Sequence, residues 1–166
     1  MPRKVDCIYL SGILDGEGCI TVGAGKRETC INYNPIVVVQ NTSKELIDWL
    51  HATFGGQVYL SKKETKKTKA AWAWRITKKK RIELLLLSVL PYLRVKREQA
   101  NLLLAFVRLE RTAPTDQRVR IYEELRRLNF RGISVTTNMQ NTAPAVKIEP
   151  ELHGDVQSDP MVTLED

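Results

Sequence analysis

Gly12 and Gly16 stand one turn apart inside a segment that otherwise reads as a helix. Leu10, Ile13 and Leu14 fall at i, i+3 and i+4, the spacing that lines one helical face, so Val5–Gly16 is predicted helical. Each interior glycine costs a helix about 1 kcal/mol relative to alanine. Two of them at i and i+4 leave a strip without side chains, along which another helix backbone can approach closely. A monomer with one such helix leaves the strip bare, whereas a two-fold copy presenting the same strip closes it. Gly12 and Gly16, with Ser11 beside them, are therefore candidates for a helix–helix interface between copies.

The same helix ends at Gly16-Glu17-Gly18. Unpaired carbonyls and the helix dipole favour a cation there. Two helices packed along the glycine strip bring two Glu17 carboxylates together, and like charges at short range repel. A divalent ion between them removes that cost, and carboxylate and carbonyl oxygens are ligands that magnesium prefers. Hard-metal sites of this kind can clamp the attacking and leaving oxygens of a phosphodiester. Glu17 and the Gly16 carbonyl are the candidate metal ligands. Glycine plus acid at a helix end is common on solvated surfaces. The full stretch Leu10–Gly18, leading straight into a strand and a hairpin, is what sets this one apart.

Beyond the helix the apolar period changes repeatedly. Cys19–Ala24 and the β-branched Tyr33–Gln40 read as two strands around the loop Gly25–Thr29. Ser43 is a good N-cap for a second helix carrying Leu46, Ile47, Trp49 and Leu50, closed by Phe54-Gly55-Gly56. Gln57–Lys63 and Ala70–Thr77 form a second hairpin around a lysine-rich loop. Thr77 is placed to cap a third helix through Ile82–Leu90, which Pro91 stops. Lys96–Arg111 reads as a fourth helix, and Thr115 or Asp116 caps a fifth through Leu128. Helix, hairpin, helix, hairpin and helices make an α+β domain: one antiparallel sheet with its helices on a single face and the other face free. The domain is expected over 1–131, with an acidic, poorly ordered tail over 132–166.

Charge divides at nearly the same place. Residues 1–129 carry 24 basic and 13 acidic side chains, and residues 130–166 carry 2 and 6. A basic body points to a polyanionic partner. Cys7, Cys19 and Cys30 form no CxxC pair and have only His51 and His153 as companions, which argues against structural zinc and suits an intracellular chain with reduced thiols. The apolar run Leu84–Leu87 is far too short to cross a bilayer, and no signal peptide or membrane span is expected.

Leu10-Ser11-Gly12-Ile13-Leu14-Asp15-Gly16-Glu17-Gly18 resembles the LAGLIDADG motif of the homing endonucleases, with Ser11 for alanine and Glu17 for the last aspartate. Pro35–Gln40, Trp49-Leu50 followed by Phe54-Gly55-Gly56, Pro91-Tyr92-Leu93 and Gln99-Ala100-Asn101-Leu102 extend the resemblance over about residues 5–112. The resemblance implies the αββαββα fold with a saddle-shaped antiparallel sheet and here an extra C-terminal helix. A single motif implies a homodimer on a partly palindromic target in double-stranded DNA. It implies a site-specific, intron- or intein-associated endonuclease that needs Mg2+, accepts Mn2+, and binds Ca2+ without cutting. Glu17 would then be the metal-binding acid, helped by the Gly16 carbonyl, with Asp15 at the helix interface. Lys96 matches a basic residue near the scissile phosphate, a second catalytic candidate. The family often has a water-positioning glutamine near Ser43. Serine lacks that reach, which leaves Gln40, Asn41 or ordered water as substitutes.

By the same resemblance the sheet's free face lies in the major groove, where side chains read base edges. Alternation assigns Thr21 and Gly23 to that face from the first strand, and Asn34, Ile36, Val38 and Gln40 from the second. On the third, Val58 and Leu60 point inward and Gln57, Tyr59, Ser61 and Lys63 outward. On the fourth, Trp72, Trp74 and Ile76 point to the core and Arg75 and Thr77 to DNA. Arg27 reaches DNA from the first loop, and the lysines of the second hairpin loop and of Lys78–Arg81 suit phosphates. Two rivals stay open: a non-cleaving intron RNA maturase or a DNA-binding regulator of the same fold. The triplet Glu64-Thr65-Lys66 matches half of another nuclease motif, but it lies in a lysine-rich loop.

Overall fold

The computed structural model describes residues 2–26, 31–110 and 112–130. Arg27 and the expected acidic tail, 132–166, lie outside the described residues. The elements are α1 (Lys4–Gly16), β1 (Gly18–Lys26), β2 (Ile31–Asn41), α2 (Lys44–Phe54), β3 (Gln57–Lys62), β4 (Ala71–Ile76), α3 (Lys79–Val89), α4 (Arg97–Arg108) and α5 (Thr115–Asn129). The expected α+β order is therefore the observed one.

The four strands form one antiparallel sheet in the order β1-β2-β4-β3. Its register sets the two faces. Ile20 pairs with Val37, Val37 with Ile76 and Val39 with Trp74, and all of these side chains are buried. They pack against Leu10 and Leu14 of α1, Ile47 and Leu50 of α2, Leu86 of α3 and Leu103 of α4 in one core. The tryptophan stripe of β4 is core, as expected: Trp74 is fully buried, and its indole N–H donates to the Gly55 carbonyl at 2.5 Å. That contact explains the glycine pair after α2. Gly55 and Gly56 have φ of 68° and 99°, and a Cβ on Gly56 would come within 2.9 Å of both the Arg75 carbonyl and the Trp74 indole nitrogen.

Ser43 caps α2 as expected, its side chain accepting from the Leu46 N–H at 3.2 Å. The caps expected for α3 and α5 are not the ones used. Lys78 and Pro114 occupy the N-cap positions, neither with a side-chain cap bond. β4 ends at Ile76, so Thr77 falls in the turn between strand and helix. The fixed φ of Pro114 puts Thr115 on the first helical residue, one place too late to cap.

β3 departs furthest from the expected alternation. Leu60 pairs with Trp72 on the core side but is 42% exposed at the sheet's edge. A bulge between Leu60 and Lys62 makes Ser61 the extra residue, and its hydroxyl donates to the Ala71 carbonyl at 3.1 Å. A bulge resets the alternation. Ser61 and Lys63 therefore do not continue the face of Gln57 and Tyr59 by simple count, and Lys63 lies beyond the strand.

Candidate nucleic-acid interface and acidic turn

The sheet face on which no described helix packs carries, strand by strand, Cys19, Thr21 and Gly23; Asn34, Ile36, Val38 and Gln40; Arg75 and the buried Ala73; and Gln57 and Tyr59. Register places Arg75 between Val38 and Gln57, and Ala73 between Gln40 and Tyr59. The face is thus polar at its margins and apolar along Ile36 and Val38. Gln40, Gln57 and Tyr59 are exposed, and Thr21, Ile36 and Arg75 are half-buried. The Arg75 Nε is buried without a hydrogen-bond partner. Thr77, just past the end of β4, lines a cleft of about 420 Å³ with Asn32, Asn34, Lys79 and Arg118. The loop lysines are exposed, and Glu64-Thr65-Lys66 lies in a solvent-facing turn closed by Thr65 and Thr68.

At one end of the sheet α1 stops and β1 begins, with Glu17 as the C-cap residue between them. The two acids of this turn point to different tasks. Asp15 is half-buried, and its carboxylate accepts from the main-chain N–H of Arg94 at 2.8 Å and of Lys96 at 2.9 Å. Burial pushes the Asp15 carboxyl up, but the N–H groups of residues 94–96 and the Lys96 charge outweigh it and hold the carboxyl below its usual range. Glu17 is exposed, and its carboxylate accepts from the Asn41 side-chain amide. Of the two, Glu17 is the acid open to a ligand.

Lys96 is not the free basic group expected near a phosphate. It is 4% exposed, and its ammonium donates to the Leu14 carbonyl at 2.6 Å and the Asp15 carbonyl at 2.9 Å. It satisfies the last-turn carbonyls of α1 from outside the helix, where a cation also meets the negative end of the dipole. In the single chain Lys96 thus fixes the end of α1, directly behind the turn that carries Glu17.

The outer stripe of α1 is bare among the described residues: a Cβ on Gly12 or Gly16 would meet none of their atoms within 4 Å. Val5, Ile8 and Tyr9 lie on the same stripe at 58%, 45% and 55% exposure. These three were missed in the sequence, although stepping back from Gly12 by three, four and seven residues finds them. Ser11 turns inward instead: it is buried, and its hydroxyl donates to the Ile8 carbonyl at 2.6 Å. Beside the stripe a cleft of about 760 Å³ opens between α1 and residues 91–97, with Ser11 and Asp15 in its wall.

Among the described residues no group of three His, Cys, Asp or Glu side chains is gathered to hold a metal ion. What one chain offers is a single open carboxylate at a helix C-terminus, with the Gly16 carbonyl in that last turn. Such a donor set fits an ion shared between copies.

The backbone matches that of I-CvuI in complex with target DNA at a TM-score of 0.67, with 20% identity, over 79% of this chain and 85% of that one. The chain has the LAGLIDADG homing-endonuclease fold. The group I intron-encoded homing endonuclease I-CeuI, complexed with DNA, shares the fold at a TM-score of 0.61, with 15% identity, over 76% of this chain and 68% of that one. The LAGLIDADG meganuclease I-CpaMI, bound to uncleaved DNA, matches at a TM-score of 0.52 and 16% identity, over 72% of this chain but 39% of that one. No family profile and no curated sequence matches the chain. Within the LAGLIDADG fold, Leu10–Gly18 forms α1 and the turn into β1.

Proposed function

We propose that the chain is a site-specific double-strand DNA endonuclease that acts as a homodimer, with divalent metal held between two copies of Glu17. The observation that carries this reading is the placement of an exposed carboxylate at the end of a bare glycine stripe, beside an uncovered sheet face. Close packing of two α1 stripes brings both Glu17 carboxylates to the two-fold axis. A match to 39% of the longer I-CpaMI chain supports one unit of a two-unit assembly. Two-fold symmetry in turn implies a partly palindromic target.

In this reading the sheet face enters the major groove of each half-site. Thr21, Asn34, Gln40, Gln57, Tyr59 and Arg75 meet base edges, while Ile36 and Val38 suit the thymine methyl. Exposed lysines of the β3–β4 loop and of the start of α3 meet phosphates. Glu17 and the Gly16 carbonyl hold Mg2+, with Mn2+ as a substitute and Ca2+ as a binding but non-cleaving ion. When bound, the ion supplies Lewis-acid stabilisation of the attacking and leaving oxygens. Lys96 and Asp15 keep the turn that carries Glu17 in place from behind.

The test is cleavage of a plasmid library of candidate sites, in Mg2+ and in EDTA, by the native chain and by Glu17→Gln. Discrete double-strand cuts that need both the ion and Glu17 are expected. Tight binding of a defined target with no cut under any ion would overturn the nuclease reading in favour of a regulator or maturase.

A further inference from the structure

Asn41 ends β2 on the core side of the sheet, paired with Trp72, and bends the chain toward α2. Its side-chain oxygen accepts from the Ser43 N–H at 2.8 Å, an Asx turn that starts the following helix. That bond settles which way the amide points. A main-chain N–H requires an acceptor, so the oxygen faces Ser43 and the NH2 group faces the other way. The other way is Glu17, 24 residues earlier in the chain, whose Oε2 accepts from it. Gln40, the neighbouring amide, is on the opposite sheet face beside Ala73 and is exposed.

We propose that Asn41 is the positioning residue of the metal-binding acid: its amide, oriented by the Ser43 N–H, turns the Glu17 carboxylate so that Oε1 faces the ion. The inference rests on the nuclease reading above and adds to it a residue outside the nine-residue motif. Partners of a metal-ligating carboxylate fix its rotamer, and their loss weakens binding or turnover without touching the ion. Asn41 is suited to the task because it is neutral. A lysine there would compete with the ion, and a second acid would bind it.

The experiment compares the native chain, Asn41→Leu and Asn41→Gln on one cleavable target. The leucine is close in size and uncharged, and the Ser43 N–H it abandons lies at the surface, where water can replace the lost acceptor. Four quantities are read: DNA affinity in EDTA, Mn2+ affinity of the DNA-bound chain by electron paramagnetic resonance, turnover at saturating DNA and Mg2+, and melting temperature. Asn41→Leu is expected to lower Mn2+ affinity and turnover each by about tenfold, with DNA affinity in EDTA and melting temperature unchanged. Asn41→Gln, which keeps an amide with longer reach, is expected to recover most of both losses. Unchanged Mn2+ affinity and turnover in Asn41→Leu would overturn the proposal. So would a loss of DNA affinity and melting temperature in step with turnover, which would mark Asn41 as a turn residue alone. A native chain that neither cuts nor takes up Mn2+ fails earlier, at the nuclease reading, and is thereby told apart.

Discussion

Lys96 and Asp15 join the same two segments in opposite directions. The Asp15 carboxylate accepts from the main chain at Arg94 and Lys96, while the Lys96 ammonium donates to the main chain at Leu14 and Asp15. Each side chain thus satisfies the backbone of the other's segment, and the turn bearing Glu17 is held from behind by four hydrogen bonds.

Lys96→Met keeps the aliphatic stem and removes the donor, leaving the two carbonyls without it in a buried setting. The expected loss is about 2 kcal/mol in unfolding free energy, the usual cost of stranding buried acceptors. Chemical denaturation of the two proteins measures it. Unchanged stability would mean that water replaces the ammonium.

Gly12 separates folding from assembly. Alanine there gains about 1 kcal/mol of helix propensity and meets nothing among the described residues. Gly12→Leu is expected to leave the single chain folded and to block its pairing. Sedimentation at rising concentration should then give a dimer for the native protein and a monomer for the leucine variant, with matching circular dichroism. A Gly12→Leu protein that dimerised normally would remove α1 from the interface.

The helices and the strands were legible because they follow from local spacing. The 3.6-residue period marks α1 and α4, and β-branched alternation marks β2. Lys96 was not. A lysine at a helix start reads as solvated, and only the arrival of α1 beside it, more than eighty residues away in the chain, encloses it. The Asn41–Glu17 bond was hidden for the same reason. The β3 bulge escaped because one extra residue leaves the composition of a strand unchanged while resetting the faces beyond it.

Arg75 carries the clearest recognition prediction. Its side chain is half-buried on the sheet face turned away from the helices, between Val38 and Gln57. Arg75→Met should relax base preference at one position in each half-site, by about 1–3 kcal/mol, with other positions unaffected. Cleavage profiling on a randomised target reads this directly. A uniform loss across all sequences would instead assign Arg75 to the phosphates.

The first turn of α1 should respond to acid. Asp6 caps the first turn from within the helix, the Arg3 main-chain N–H and guanidinium both donating to the Asp6 carboxylate. Hydrogen bonding to Arg3 holds the Asp6 carboxyl below its usual range, ahead of the opposing effect of burial. A depressed folded-state pKa stabilises above the unfolded value, and that stability is lost as pH falls through the folded one. The gap in denaturation midpoint between native and Asp6→Asn proteins should therefore be full at neutral pH and close below about pH 4. A gap that persisted in acid would assign the effect to packing.

The separation of 82 residues between Leu14 and Lys96 also has a consequence in time. Synthesis releases α1 first, and its last-turn carbonyls must wait for a lysine that leaves the ribosome only after both hairpins and α3 have been made. Until then the segment bearing Glu17 lacks its backing. A nascent chain tethered near nucleic acid therefore carries the acid without the frame that aims it, and the finished turn arrives together with the finished domain.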